Sequence, residues 1–580
     1  MKLKKIYNKI TISLATVSLL FCAGCSNFLS TPPLTDFTDK DFWNSESTVR
    51  AYAWGLYDQF YGYGRGGNQY AEFYWQTEGD NNYEMKYTED LLNSNFLGFP
   101  SNAYIENDRW QTYFNFIRKA NLLLSRVPEM PVIEEVRNHW LGVGLFFRAN
   151  SYFAVLSSWG DAPLFTEYLY PEATEKVYGP RVDRKIIADQ IIKDLTDATG
   201  MLRVNDGIGA VNRDAAYALL ARVALFEGTY RKYHGLDHYQ GYLTTAAAVS
   251  KQLMGGTYSL SGSFKTKYNS DNLQGNTEII LYKHYEKNVM MSTIQAYTHS
   301  SSPAVHGLTK YAVEGYVCAD GLPISQSPLY KGDKGIENVR ANRDERLKDA
   351  IFDQLGYYGK PYADLIVSST GYVTSIWDNP AKNVKDPDVT MDAKNYIDAP
   401  IFTISEMYLI YAEAQAELGK LTQDDLNISV NLLRKRAGVA PLMLSGTNVT
   451  ASGVMINDPR RTAALESVTM GGIVNSILWE IRRERRAELI GWVMLRHQDL
   501  DRWAKGEYMS TDLNPDVILG AWIGVVPEGA TVKINADGYI SHFTGNSRKF
   551  TKKYYLDPIP LSDINLYKAK GYELSQNPEW

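Results

Sequence analysis

The chain has 580 residues, 44% hydrophobic and 22% charged, with a formal net charge of −6 from 60 basic and 66 acidic side chains. That balance supplies no clustered basic surface, so no nucleic-acid partner is expected. Tyrosine is abundant, 41 residues against 20 Phe and 12 Trp, which favours surfaces apolar on one side and wet on the other.

Residues 1 to 25 read as an export signal. Lys2, Lys4, Lys5 and Lys9 form a basic start, Ile10 to Phe21 a short apolar stretch, and Cys22-Ala23-Gly24-Cys25 a small-residue close. Thr11, Ser13, Thr16 and Ser18 interrupt the stretch, which is too short to span a bilayer as a stable helix. The segment resembles a bacterial lipoprotein signal, although Cys22 stands where leucine is more usual. That resemblance implies cleavage before Cys25 and acylation of its thiol, leaving 556 residues. Only Cys318 then keeps a thiol, so no intrachain disulfide can form and packing alone holds the fold together. Cys318 itself reads as a small buried hydrophobe. Residues 25–40, with Pro32-Pro33, read as a tether. Two regions follow, a helical one over 41–260 and a second over 261–580 with long loop insertions.

Twelve aromatic residues fall within the 36 residues of 52–87. There Trp75-Gln76-Thr77-Glu78-Gly79-Asp80-Asn81-Asn82-Tyr83 sets flat rings beside carboxylate and amide groups. A sugar offers a C–H face to stack on a ring and hydroxyls to bond in fixed directions, so Trp75, Asp80, Asn81, Asn82 and Tyr83 are candidate ligand contacts. Gly62, Gly64 and Gly67 satisfy G-x-G-x-x-G, but they follow a helix-like stretch (Val49 to Tyr57) and no βαβ unit, so a turn is the better reading. A second loop, Ser369-Thr370-Gly371-Tyr372 through Trp377-Asp378-Asn379, has similar composition and adds Tyr372 and Trp377.

Helical periodicity dominates elsewhere. Leu145, Ala149, Tyr152 and Leu156 mark a helix ending near Trp159-Gly160; Ala216, Leu219, Val223 and Phe226 mark another, with Gly228 as its expected cap. Segments 110–126 with 137–159, and 184–201 with 213–228, form expected pairs. Ile404, Met407, Tyr411, Ala414 and Leu418 run to Gly419, and Leu426, Val430, Leu433 and Ala437 run to Gly438, as a helix hairpin. The small residues of Ala215 to Leu225 resemble tetratricopeptide hairpins, without a strict 34-residue period. Short strands are expected at Glu278 to Tyr282 and Ala530 to Ile534. The fold class is therefore mainly α, with helix hairpins, few short strands and long irregular loops.

No HExxH, G-x-S-x-G or phosphate-loop motif occurs, and no enzymatic activity is expected. His234 and His238 flank Asp237 at helical spacing but lack a third zinc ligand. Asp386, Asp388 and Asp392 carry the donor type of a structural calcium site, yet depart from EF-hand spacing, so a solvated acidic loop reads better and no cofactor is expected. The run Arg482-Arg483-Glu484-Arg485-Arg486-Ala487-Glu488 reads as an ion-pair lattice bracing a helix, with Glu480–Arg483 and Arg485–Glu488 as neighbours.

Several segments together resemble the SusD/RagB-like outer-membrane lipoproteins of the Bacteroidetes. They are Phe28-Leu29, Pro32-Pro33 and Asp41-Phe42-Trp43 after Cys25; Phe116-Ile117-Arg118-Lys119-Ala120-Asn121; and Phe147-Arg148-Ala149-Asn150-Ser151-Tyr152-Phe153 into Trp159-Gly160-Asp161-Ala162-Pro163-Leu164. Ala215 to Gly228, Tyr411-Ala412-Glu413-Ala414, Asn431 to Gly438 and Ile481 to Glu488 follow in order. Tyr555-Leu556-Asp557-Pro558-Ile559-Pro560 and Gln576-Asn577-Pro578-Glu579-Trp580 close the match. After Glu488-Leu489 the family's usual Glu-Gly step is replaced by Gly491-Trp492-Val493 before Arg496. The resemblance implies a SusD-like fold and a lipid-anchored outer-membrane protein at the cell surface. It further implies a protein that captures glycan for a SusC-like, TonB-dependent transporter without cleaving it. Peptide capture of the RagB kind, or a secreted glycoside hydrolase, are the alternatives.

Overall fold

The structure is a computed structural model and describes residues 42–64, 88–93, 98–296, 306–357, 368–379, 381–382, 386–391, 393–543 and 545–580. The export signal, Cys25 and the tether lie outside these residues. The molecule is mostly helical with few short strands, as the sequence implies.

Helix α1 (Glu46–Trp54) is capped by the Ser45 hydroxyl. Helix α2 (Asp108–Arg126) starts where the Asn107 side chain accepts from the amides of Arg109 and Trp110. Helix α3 (Glu134–Trp159) ends at Gly160, whose φ of +71° only glycine adopts cheaply. Helices α4 (Arg184–Met201), α5 (Arg213–Tyr233) and α6 (Tyr239–Met254) follow. Each packs on the next, α2 on α3 through to α5 on α6, and α6 then packs on α7 (Ile404–Glu417). The stack therefore runs straight across the expected boundary at residue 260, and one hydrophobic core holds residues from both regions.

Three expectations change in detail. Gly228 does not end α5, which runs on to Tyr233. It is instead a contact point: a Cβ there would meet Leu243 Cγ and Cδ2 at 2.9 Å and the Leu243 amide nitrogen at 3.1 Å. The helix expected over 426–437 is broken at Ile428-Ser429 into Gln423–Asn427 and α8 (Val430–Arg436), and a Thr422–Asp425 capping box starts the first piece. Residues 530–534 make no strand, only a bridge between Ile534 and Ile540.

Strands are short. β1 (Leu91–Asn93) pairs antiparallel with β3 (His306–Leu308), and β2 (Ile279–Lys283) with β4 (Ala399–Thr403), one residue from the expected position of β2. β5 (Met443–Ser445), β6 (Asn448–Ala451) and β7 (Val454–Met455) form a meander.

The charge run lies on α9 (Ser476–Glu488), and its ion pairs are buried and reach beyond the helix. Glu480, Glu484, Arg485 and Glu488 are all at most 3% exposed. Glu480 does pair with Arg483 at 3.1 Å. Arg485, however, pairs with Asp499 of α10 (Val493–Arg502) at 2.9 Å, not with Glu488. Glu488 gathers Lys267, Arg346 and Arg436, while Glu484 binds Arg346 at 2.7 Å and Arg434 at 2.5 Å. Beside them Arg502 grips Glu413 of α7 with both nitrogens, at 2.6 and 2.8 Å.

Candidate functional site

The aromatic stretch 52–87 is rooted in this frame at both ends. Apart from Trp54, which is 46% exposed, the rings up to Gly64 are buried or half-buried: Tyr57 meets Phe147 edge-on at 4.8 Å, and Tyr63 is 3% exposed. The chain is clamped there by the end of β2. Lys283 donates through Nζ to the Phe60 carbonyl at 2.6 Å, and the Tyr285 hydroxyl donates to the Gly64 carbonyl at 2.6 Å. Tyr63 donates its amide to Tyr285 Oη at 3.0 Å and its own hydroxyl to the Tyr268 carbonyl at 2.7 Å.

The far root is ionic. Glu89 is fully buried against Arg496, whose Nε lies 3.1 Å from Oε1, and Asp90 meets Arg486 Nη2 at 2.6 Å. Burial pushes both carboxyls up. At Glu89 the Arg496 and Arg486 guanidiniums outweigh it and hold the group below its ordinary range, whereas at Asp90 burial prevails and raises it. Thr309 fixes the backbone, donating its hydroxyl to the Glu89 carbonyl at 2.6 Å and its amide to the Asp90 carbonyl at 2.9 Å.

Other chain segments join at the same place. The Ser369 hydroxyl donates to the Leu92 carbonyl at 2.5 Å, and the Leu308 amide to the Tyr372 carbonyl at 3.2 Å. Residues 88–93, 306–309 and 368–373 thus form one junction.

Trp75, Asp80, Asn81, Asn82 and Tyr83 lie outside the described residues. Tyr372 and Trp377 lie within them, and their expected role as ligand rings is corrected. They are 3% and 0% exposed and belong to the main core, so neither has a face for a sugar. Their polar neighbours also face inward: Asp378 pairs with Lys265 at 3.4 Å, and Asn379 donates to the Asn269 carbonyl at 3.0 Å. Composition marks a loop as aromatic and polar, but it does not say which way the rings turn.

The candidate metal ligands have other tasks. His234 stacks on Tyr230 at 3.8 Å and donates through Nε2 to the Asp501 carbonyl at 2.7 Å; burial lowers its pKa to about 4. His238 stands at the start of α6 with φ +67°. Asp386 caps a short helix by accepting from the Asp388 amide at 2.9 Å, and Asp388 pairs with Lys287; Asp392 lies outside the described residues. Among the described residues no group of three or more His, Cys, Asp or Glu side chains is placed to hold a metal. Cys318 is buried, as expected.

The sequence reading passed over a polar groove of ≈ 240 Å³ between residues 205–212 and 273–282. Its signal was the run Asn205-Asp206-Gly207-Ile208-Gly209 between two helices, which looks like any turn. Among the described residues no helix is long and apolar enough to cross a membrane.

Comparison with known proteins gives concordant results. Residues 257–580 match the family model described as the SusD family, and residues 27–225 match one described as starch-binding, associating with outer membrane. SusD-like protein P38 of Formosa agariphila is 24% identical over 233 residues, which is 39% of this chain and 44% of that protein. A second protein of the same organism, SusD-like protein P25, is 26% identical over 48% of this chain and 53% of its own length. The chain thus spans about half the length of the curated relatives it matches. A crystal structure of a SusD-like carbohydrate-binding protein from Bacteroides fragilis superposes with a TM-score of 0.67 at 19% identity, covering 90% of this chain and 99% of that one.

Proposed function

The chain belongs to the SusD family, and from that premise we propose that it is a cell-surface lipoprotein capturing glycan for import. On this reading Cys25 carries the lipid anchor. Trp75, Asp80, Asn81, Asn82 and Tyr83 contact the sugar, and a SusC-like, TonB-dependent transporter in the outer membrane receives it. The protein grips the polymer and releases it without breaking a bond.

One observation carries the reading. Six aromatics, Tyr70 to Tyr87, fall between two ends that are fastened into the core. Rooting of this kind limits the ordering cost a binding segment pays on meeting its ligand. Likeness to a carbohydrate-binding protein and to a starch-binding family model supports glycan as the ligand class.

The test is affinity gel electrophoresis of the protein from Cys25 onward against a panel of neutral and acidic polysaccharides. Retardation in at least one gel is expected, with no new reducing ends. Trp75→Ala or Tyr83→Ala should weaken it by about 1–3 kcal/mol, as for a buried aromatic anchor. Turnover of the retained polymer would overturn the reading, and wild-type retention by both variants would sink the site.

A further inference from the structure

We propose that the groove between residues 205–212 and 273–282 is a second carbohydrate site, taking a single neutral sugar unit through side-chain amides. The proposal rests on the glycan reading above but uses none of the residues assigned there.

Both walls are held rigid. On one side Arg203 binds Glu46 at 2.6 Å, Glu135 at 2.7 Å and Asp206 at 2.8 Å, while Arg50 binds Asp206 from the other direction at 2.7 Å. On the other side the Leu273 amide donates to Asp398 Oδ2 at 2.9 Å, and the Asn276 amide to the Leu273 carbonyl at 3.1 Å, just before β2. The groove is therefore preformed, as small-molecule sites are. Its ≈ 240 Å³ falls a little below the usual range for such sites and suits one ring rather than a chain buried along its length.

The polar groups form a consistent set. Three asparagines spend their oxygen on the protein: Asn205 Oδ1 accepts from Gly207 at 3.0 Å, Asn212 Oδ1 from Ala215 at 2.9 Å and Asn276 Oδ1 from Glu278 at 2.9 Å. Each Nδ2 group is left as a pair of donors with no partner among the described residues, and Gln274 adds a further amide. Tyr282 also lines the groove, with its side chain 9% exposed.

These groups ask for a ligand rich in oxygen acceptors. Sugar hydroxyls and ring oxygens fit. The groove lining contains no charged side chain, so nothing there repays desolvating the carboxylate or sulfate of an acidic sugar. Ile208, 53% exposed, offers an apolar contact for a C–H face. The Val211 amide donates to the Tyr57 hydroxyl at 2.8 Å, which ties the groove wall to the root of the aromatic stretch.

The probes are oligosaccharides of starch, laminarin, mannan and xylan, with alginate and pectin fragments as acidic counterparts, titrated calorimetrically into the protein from Cys25 onward. Asn205→Asp keeps the oxygen that accepts from Gly207 and replaces the free donor with an acceptor. It should leave Tm unchanged and weaken binding of the best neutral probe roughly three- to ten-fold, about one hydrogen bond. Asn212→Asp and Asn276→Asp keep the structural oxygen, replace the free donor with an acceptor, and should weaken binding at least as much. Wild-type affinity in all three variants, while Trp75→Ala still loses binding, would overturn the groove and leave the parent reading standing. Preference for the acidic fragments would overturn the neutral class. Binding of no saccharide at all removes both proposals together.

Discussion

Two parts of the molecule reach the same degree of burial by opposite chemistry. The α5–α6 hairpin is packed through Ala215, Ala216, Ala218, Leu219, Ala221 and Val223, with Gly228 admitting Leu243 at the crossing. The centre around α9 is packed through arginines and carboxylates, several of them no more exposed than those alanines. The α5–α6 contact depends chiefly on shape, although α5 also carries Glu227, buried between Arg184 and Arg231. The centre depends on each ion keeping its partner, because removing one partner leaves an uncompensated buried charge.

The difference can be broken most sharply at Glu488. Glu488→Gln takes the shared carboxylate from Lys267, Arg346 and Arg436 and should cost about 3–5 kcal/mol, read as a fall in the urea midpoint. A loss under 1 kcal/mol would mean that Glu278, which also pairs with Lys267 and Arg436, and Asp344 and Glu484, which pair with Arg346, suffice for the three cations.

Acid should separate the two regions next. Glu413 is fully buried; burial pushes its carboxyl up, but Arg502 outweighs it and brings the pKa down from 4.5 to about 2. A carboxylate depressed in the folded state contributes stability that is present above the unfolded pKa and lost as pH falls through the folded one. At 1.36 kcal/mol per unit, about 3 kcal/mol should disappear between pH 4.5 and 2. Glu413→Gln should flatten the dependence of the urea midpoint over that window. An unchanged slope would show that Glu413 does not govern it.

The smallest effect probes the hairpin. Gly228→Ala gains helix propensity but drives a methyl group into Leu243, so the net change should be a loss of about 1–3 kcal/mol. Coupling with Leu243→Ala tests the cause, since the pair should fall short of the sum of the single losses. Full additivity would place the strain elsewhere.

Much of the frame was legible. The three-and-four spacing of Leu145, Ala149, Tyr152 and Leu156, and of Ile404, Met407 and Tyr411, gives the helices because a helix buries one face and its period is local. Gly160, Gly419 and Gly438 were read correctly as stops, each with positive φ. Gly228 was misread, since a glycine needed for close approach and one needed for a left-handed turn look alike in one dimension.

By itself the sequence determined the helical class, the order of the hairpins, the export signal as an expectation and the family likeness, all properties carried by neighbours along the chain. Tertiary structure alone decided that Arg485 answers Asp499 rather than Glu488 and that Tyr372 and Trp377 face the core. It also decided that Asn205, Asn212, Asn276 and Tyr282 line one groove. The reason is range: helical period acts over three or four residues, whereas a buried charge, a ring face or a free amide is defined by whatever the fold brings opposite it.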